Sequence, residues 1–379
     1  MGAVQTETQN IAPPQLLPAA PRRKIALVHD YLIQDGGAER VLGALQDMFP
    51  RAPTFTILYN PNHPHAQGKI IRSSFLQKFP FSWHLDQWYM PLMPMAVEQM
   101  DFSEYDLVIS SSISFAKGII TAPETKHVCY VHTPTRFLWH DRIGYMNDLR
   151  QPRLIRIALL PILHRLRLWD KLAAERPTHL LTNSQTSQER IRRYYGREAE
   201  VIYPPVDVER IPLSTAPGEY WLAGGRLVGY KRFDLIVQAF AKLRLPLKIF
   251  GAGPEYSKLK SLAAPETEFT GYISDAEKIA LYGKAIGFLH PQMEDFGITA
   301  VEAMAAGKPV LTYGRGGGAE TIVPGETGEF LESQSWENIA DAVMRFNPAQ
   351  YDPNAIRRRA EQFSKARFQE RLTDFLSRI

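Results

Sequence analysis

Two carboxylates, Glu294 and Glu302, stand eight positions apart in the run Glu294-Asp295-Phe296-Gly297-Ile298-Thr299-Ala300-Val301-Glu302. Gly297 supplies a turn, and Ile298 to Ala306 consists of good helix formers, ended by Gly307-Lys308-Pro309. Glu294 therefore precedes a helix N-terminus and Glu302 lies just over a turn inside the helix. The free N–H groups of such a terminus carry partial positive charge and attract anions. A phosphate placed there would leave the two carboxylates beside neutral, hydroxyl-rich parts of its molecule, which is the make-up of a sugar nucleotide. Arg226 and Lys231 are loop cations just before a helix predicted to start near Phe233. A planar fork and a point charge suit a diphosphate, and exposed ion pairs are the plainer alternative. His132 ends the apolar run His127–Val131 and precedes Thr133-Pro134. That is where an open α/β sheet presents ligands, although a histidine satisfied by its neighbours in the core is the commoner arrangement.

The elements that position these residues repeat one pattern. Lys24 to Asp30 reads as a buried parallel strand, Gly36-Gly37 as a turn and Ala38 to Leu45 as a helix. A glycine pair at a helix start lets backbone approach a diphosphate or an acceptor, or serves only as a turn, and it lacks the G-x-G-x-x-G spacing of dinucleotide sites. Further strands are expected at Ala52–Leu58 and Tyr105–Ser110, with Ser110-Ser111-Ser112 at a strand end. Ser184 should cap a helix from Gln185 to Tyr195. After Val201–Asp207, with its two prolines, the pattern restarts at Tyr220–Gly225. Leu247–Pro254 follows as a strand with a glycine turn, then Thr267–Ser274, Ile286–Pro291 and Pro309–Tyr313, and Ser274 or Asp275 should cap a helix from Ala276 to Lys284. Gly314 to Gly318 reads as a flexible turn able to wrap a phosphate or sugar. The expectation is α/β with two Rossmann-like domains, residues 22–204 and 205–366, after a leader at 1–21. The last helix, 367–379, is too short to stand alone and must pack on one of them.

At 379 residues the chain exceeds the usual size of one core. A net charge of +4 is too mild to argue for nucleic acid. Cys129 is the single cysteine, so no disulfide framework or cysteine metal site exists, and it reads as a small buried hydrophobe. No apolar run approaches the roughly 20 residues that span a bilayer. Met1 to Pro21 is polar and broken by prolines, which points to disorder and a cytoplasmic, reducing setting. Two stretches stand out: Phe75 to Met100, rich in aromatics and methionine, and Arg150 to Lys171, which alternates basic and aliphatic residues. A basic amphipathic helix with an aromatic edge can lie on an anionic membrane surface, or be a core helix with snorkelling arginines.

Taken in order, Gly36-Gly37-Ala38-Glu39-Arg40, His132-Thr133-Pro134, Gly225-Arg226 with Lys231, Gly251-Ala252-Gly253-Pro254 and Glu294 to Glu302 resemble a family 4 glycosyltransferase of the GT-B fold, over nearly everything after residue 23. His29-Asp30-Tyr31-Leu32 and the run His132 to Arg136 are most similar to bacterial mannosyltransferases that extend lipid-linked saccharides for acetan- and xanthan-like polymers. The resemblance implies two domains facing a cleft, with the last helix crossing back to the first domain. It implies Arg226 and Lys231 on the donor diphosphate, Glu294 and His132 on the donor sugar, and Glu302 on the ribose. Gly36 and Gly37 would meet diphosphate and acceptor, Tyr272 and Ile273 the base, and Gly251, Gly253, Phe296, Gly297 and Ile298 the rest of the donor. Reaction with retention, in which the leaving phosphate takes the acceptor proton, needs no side-chain base, cofactor or divalent metal. The implied donor is GDP-mannose. The implied acceptor is a polyprenyl-diphosphate-linked saccharide of exopolysaccharide biosynthesis, met at the cytoplasmic face of the inner membrane. A UDP-sugar enzyme of the same fold and a catalytically silent sugar-nucleotide binder are the alternatives. A nicotinamide dehydrogenase is disfavoured by the missing glycine fingerprint.

Overall fold

The computed structural model describes residues 23–34, 36–79, 86–144 and 153–379. The expected leader at 1–21 and parts of Phe75–Met100 and Arg150–Lys171 lie outside them.

The first sheet takes strands β1 (Ile25–Leu32), β2 (Thr54–Tyr59), β3 (Ile71–Ser73), β4 (Leu107–Ser112), β5 (Lys126–Val131), β6 (His179–Thr182) and β7 (Glu200–Val201). Its spatial order is β3-β2-β1-β4-β5-β6-β7 and every pairing is parallel. The helices of this half are α1 (Gly37–Met48), α2 (Asp86–Tyr89), α3 (Met93–Glu98), α4 (Arg153–Ala173) and α5 (Gln185–Tyr195). Ser184 caps α5 by accepting from Ser187 N, as its sequence predicts.

The second sheet takes β8 (Tyr220–Gly224), β9 (Leu247–Phe250), β10 (Thr267–Gly271), β11 (Ala285–His290), β12 (Val310–Tyr313) and β13 (Gly328–Leu331), in the order β10-β9-β8-β11-β12-β13 and again all parallel. Its helices are α6 (Phe233–Leu243), α7 (Tyr256–Leu262), α8 (Asp275–Gly283), α9 (Ile298–Ala305), α10 (Gly317–Thr321), α11 (Trp336–Arg345) and α12 (Pro353–Glu361). Ser274 and Glu277 close a capping box on α8.

The apolar runs read as buried strands are buried because helices cover both faces of each parallel sheet. Val41, Leu42 and Leu45 of α1 pack on Leu27 and Ile109 from one side, while Val97 of α3 and Leu163 and Leu166 of α4 pack on Val28 and Val108 from the other. Phe240 and Ile236 of α6 and Val301 and Met304 of α9 do the same for the second sheet.

The chain passes between the halves twice at one place. Val206 and Ser364 form a parallel bridge, with Val206 N donating to Phe363 O and Lys365 N to Val206 O. Beyond it, α13 (Lys365–Ser377) returns to the first sheet and buries Phe368, Leu372 and Phe375 among Leu27, Leu42 and Tyr130. That burial is what the short terminal helix needed. In each sheet the strand order reverses beside a central pair, β1/β4 in the first and β8/β11 in the second. The carboxyl ends of such pairs are where open sheets bind ligands.

Candidate functional site

At the reversal of the second sheet, β8 runs into the loop holding Gly225, Arg226 and Lys231, and β11 into His290 and the carboxylate motif. Gly297 is the N-cap of α9 at φ 95°, a left-handed conformation that turns the chain from the motif into the helix. Lys231 Nζ lies 2.7 Å from Glu294 Oε1 and would touch a side chain placed at Gly225. His290 Nε2 lies 3.3 Å from Glu294 Oε2. Burial alone would raise the Glu294 pKa, but the Lys231 charge and the His290 contact outweigh it and hold the carboxyl well below the usual range. Arg226 is exposed and its guanidinium has no hydrogen bond or ion pair among the described residues. A bound polyanion would therefore meet one free cation and one that is already paired.

Glu302 is nearly saturated. Its Oε1 accepts from Arg40 Nη1 at 2.7 Å and Lys278 Nζ at 3.0 Å, and its Oε2 accepts from Tyr282 OH at 2.9 Å. Burial pushes its pKa up, and Arg40 and Lys278 bring it below the ordinary value. Arg40 belongs to α1, so this ion pair crosses the cleft. So does a second contact, in which Asp295 accepts from Arg190 of α5 and, at 3.2 Å, pairs with Arg136. A third carboxylate, Glu320 of α10, accepts from Gln185 N at 2.8 Å and from Thr186 N at 2.9 Å, neutralising the positive end of α5.

The first sheet contributes a buried polar chain. His132 Nε2 lies 2.9 Å from Ser111 Oγ, which lies 3.1 Å from His29 Nδ1, and His29 Nε2 faces Glu39 Oε1 at 3.5 Å. With the His29 proton on the nitrogen facing the Glu39 carboxylate, Ser111 donates to His29 and accepts from His132 Nε2–H. His132 Nδ1 is then left as an acceptor, the role a sugar hydroxyl requires. Burial pushes the His132 pKa down to about 3, so the ring is neutral at physiological pH. Asp30 fixes the neighbouring loop by accepting from the backbone N–H of Ile113, Ser114, Phe115 and Ala116 at 2.5–2.9 Å. Asp170 anchors the segment after His132, accepting from Thr135 Oγ1, Trp139 Nε1, Tyr195 OH and Lys117 Nζ at 2.6–2.7 Å.

Lys231 and Glu294 thus come together before the Gly297 turn, with Arg226 in the adjoining loop, while Glu302 lies farther along α9 on Arg40, Lys278 and Tyr282. Gly37 approaches from the other domain: a Cβ there would stand 2.9 Å from Ile298 Cδ1. Phe296, expected on the donor, is a core side chain whose ring lies between Tyr203 and Phe363 at 5.7 and 5.4 Å. Gly251 and Gly253 are accounted for by loop packing, since a Cβ at either would stand 1.9 and 2.2 Å from the carbonyls of Gly225 and Leu227. Gly317 and Gly318 are also packing positions against Phe296 and Thr312, and Gly317 N donates to Glu294 O. The segment that the sequence reads as a turn able to wrap a phosphate or sugar thus supports the motif loop through these two glycines. Gly36 adopts an extended φ of −161° at the N-cap of α1. Tyr272 is 86 % exposed and Ile273 leans on the second core. The sequence reading gave no role to Arg40, Arg136, Arg190, Asp295, Glu320 or Asp170, although Arg40 and Arg136 sit in stretches that carry the family resemblance.

Two family descriptions divide the chain as its sheets do: Glycosyltransferase Family 4 matches residues 35–210 and Glycosyl transferases group 1 matches residues 212–363. The chain belongs to the family 4 glycosyltransferases. D-rhamnosyltransferase WbpZ of Pseudomonas aeruginosa is 26 % identical over 270 residues, 63 % of this chain and 69 % of that protein. The GDP-mannose-dependent alpha-(1-6)-phosphatidylinositol monomannoside mannosyltransferase of Mycobacterium tuberculosis is 34 % identical over 136 residues, 31 % of this chain and 35 % of that one. Anabaena HepE, solved in complex with UDP and glucose, shares the fold with a TM-score of 0.68 at 19 % identity, covering 94 % of this glycosyltransferase and 100 % of that chain. In this GT-B glycosyltransferase the switch points of the two sheets, where open sheets bind ligands, face each other across the cleft.

Proposed function

We propose that this glycosyltransferase is a retaining α-mannosyltransferase that moves mannose from GDP-mannose to a polyprenyl-diphosphate-linked saccharide in exopolysaccharide assembly. The observation that carries the reading is the buried Lys231–Glu294 pair before the N-terminus of α9, with unpaired Arg226 in the adjoining loop. These cations and the helix terminus take the diphosphate, and Glu294 takes donor-sugar hydroxyls once Lys231 turns to phosphate. His132 accepts a sugar hydroxyl through Nδ1. Residues 22–204 with helix 367–379 hold the acceptor, and 205–366 the donor. The anomeric C–O bond breaks with its electron pair staying on the phosphate, and the acceptor oxygen attacks from the same face. Its proton passes to that phosphate, so the product keeps the donor configuration. Arg226, Lys231 and the helix dipole stabilise the charge that develops there without a divalent metal.

Mannose and guanine are supported by the mycobacterial relative, whose name gives a GDP-mannose donor and a lipid-borne acceptor. A membrane-borne acceptor fits the outer face of α4, where Ile157, Leu160, Leu168 and Leu172 are each more than half exposed beside Arg156 and Arg165. No helix among the described residues is long and apolar enough to cross a membrane. On this reading the exposed apolar and basic face of the helix meets the acceptor at the anionic cytoplasmic surface of the inner membrane. The test is a donor panel with extracted lipid-linked acceptor. Turnover of GDP-mannose above UDP-glucose and UDP-galactose supports the reading, and preference for a UDP-sugar overturns it.

A further inference from the structure

Arg136 reaches the donor side of the cleft from the acceptor domain. Its guanidinium lies over the Tyr230 ring, 4.5 Å from the centroid, and Tyr230 immediately precedes Lys231. Its Nη2 is 3.2 Å from Asp295 Oδ2, and Asp295 immediately follows Glu294. Arg136 is thus held between the neighbours of the two residues that form the Lys231–Glu294 pair. Its side chain keeps a quarter of its surface open. Asp295 is one carboxylate shared by two guanidiniums, those of Arg136 and Arg190, so the group retains one net positive charge beside a pair that is neutral. A purely structural latch has no use for that surplus charge. Charge of this sign, next to the site where phosphate charge grows, stabilises a leaving diphosphate.

We propose that Arg136 is a catalytic residue of this reaction: a third cation on the donor diphosphate, delivered from the first domain when the cleft closes. This rests on the reading of Arg226 and Lys231 as the diphosphate site. Tyr230 holds the guanidinium plane and Asp295 holds one edge, which leaves the remaining N–H groups for phosphate oxygens. As the anomeric C–O bond breaks and its electron pair passes to the phosphate oxygen, the added negative charge meets Arg136 together with Lys231. The acceptor proton ends on that phosphate, and Arg136 takes no proton at any stage. Delivery from the opposite domain ties charge stabilisation to closure, so a donor in an open cleft lacks one of its cations.

The experiment titrates the full chain with GDP and GMP, and in parallel UDP and UMP, by calorimetry, for the wild type, Arg136→Gln, Arg136→Lys and Asp295→Asn. The diphosphate-to-monophosphate affinity ratio should fall about tenfold in Arg136→Gln, the size of one charge-assisted contact, and recover in part in Arg136→Lys. Asp295→Asn removes the latch and keeps the guanidinium, so its ratio should stay at the wild-type value. Equal losses of affinity in Arg136→Gln and Asp295→Asn with an unchanged ratio would overturn the proposal and make Arg136 a latch only. Arg136→Lys serves if Arg136→Gln does not fold, because an unchanged ratio and turnover in it would equally remove a forked phosphate contact. The ratio is read on whichever base binds tighter, so a preference for UDP overturns the guanine reading and leaves this inference standing.

Discussion

Lys231→Ala separates two jobs that the structure gives one side chain. Lys231 neutralises Glu294 at 2.7 Å, both side chains being 13 % exposed, and among the described residues His290 is the other side chain on that carboxylate. Removing one partner of a buried pair strands the other charge and costs about 3–5 kcal/mol. The remaining His290 contact and the partial exposure place this case near the lower end, about 3 kcal/mol. For a folding unit of this size that lowers Tm by roughly 6–12 °C. Glu294→Ala strands a lysine whose flexible stem can turn toward water, so it should cost less, about 1–2 kcal/mol. The double variant removes both charges and should recover about 2 kcal/mol relative to the sum of the singles. The assay is calorimetric melting of the four proteins in matched low-salt buffer. A coupling energy below about 0.5 kcal/mol would refute the pair as a feature of the free protein. Turnover adds the second job. Loss of a preorganised cation from the leaving group should lower kcat of Lys231→Ala about 10²–10³-fold. In the double variant stability returns and turnover does not, which a purely structural lysine cannot produce.

Glu294→Ala should also split binding from chemistry: GDP affinity stays within about threefold of wild type while GDP-mannose turnover collapses, because the carboxylate serves the sugar. Equal loss of GDP affinity would remove that assignment. Acid should destabilise the fold early. His127 and His132 have pKa values pushed down to about 3 by burial, while the unfolded chain protonates near 6.5, so the stabilisation is present above pH about 6.5 and is lost as pH falls toward 3. Each contributes a slope of up to about 1.4 kcal/mol per pH unit, and Glu294, Asp295 and Glu302, all depressed, add the same sign below their usual range. A Tm that is flat between about pH 7 and about pH 5 would contradict it. Flotation with anionic vesicles should carry the protein, weaken in high salt, and fail in Leu160→Glu/Leu168→Glu; indifference to lipid charge and to these changes would remove the membrane surface.

The central strands of both sheets were legible because they are short apolar runs, and several of the helices carry a cap the sequence shows, whereas the short strands β3, β7 and β13 were not read as strands. Those signals are local. Ser184, Ser274 and Gly297 each act within a few residues of where the sequence places them. What stayed hidden is held by distance along the chain. Glu302 meets Arg40 across 262 positions and Asp295 meets Arg190 across 105. No periodicity marks such partners. The glycines fared unevenly for the same reason: a glycine that needs φ above zero declares itself in a turn pattern, whereas Gly253 and Gly317 answer to backbone brought near by the fold. Phe296 looked like part of a ligand loop because it stands between Asp295 and Gly297 in the motif, and only the packing of Tyr203 and Phe363 shows where the ring goes.

The contacts that sequence could not supply are also the ones that shut the cleft. Glu302 on Arg40, Asp295 on Arg136 and Arg190, and Glu320 on the N-terminus of α5 all join a carboxylate of the second domain to donors of the first. The arginines retain between 13 and 28 % exposure, so water can solvate them as soon as the domains part. Contacts of that kind are worth about 1 kcal/mol each rather than the full Coulomb energy of a dry pair. Three of them favour closure by about 3 kcal/mol, or roughly a hundredfold. A sugar nucleotide must enter an open cleft, and on the proposed roles it then takes Glu302 from Arg40 for its ribose and draws Lys231 from Glu294 with its phosphate. Its binding free energy therefore replaces the contacts it displaces, and Asp295 and Glu320, which have no assigned place on the donor, remain to close the domains over it. On those roles, closure over the donor rests on carboxylates that the donor does not use.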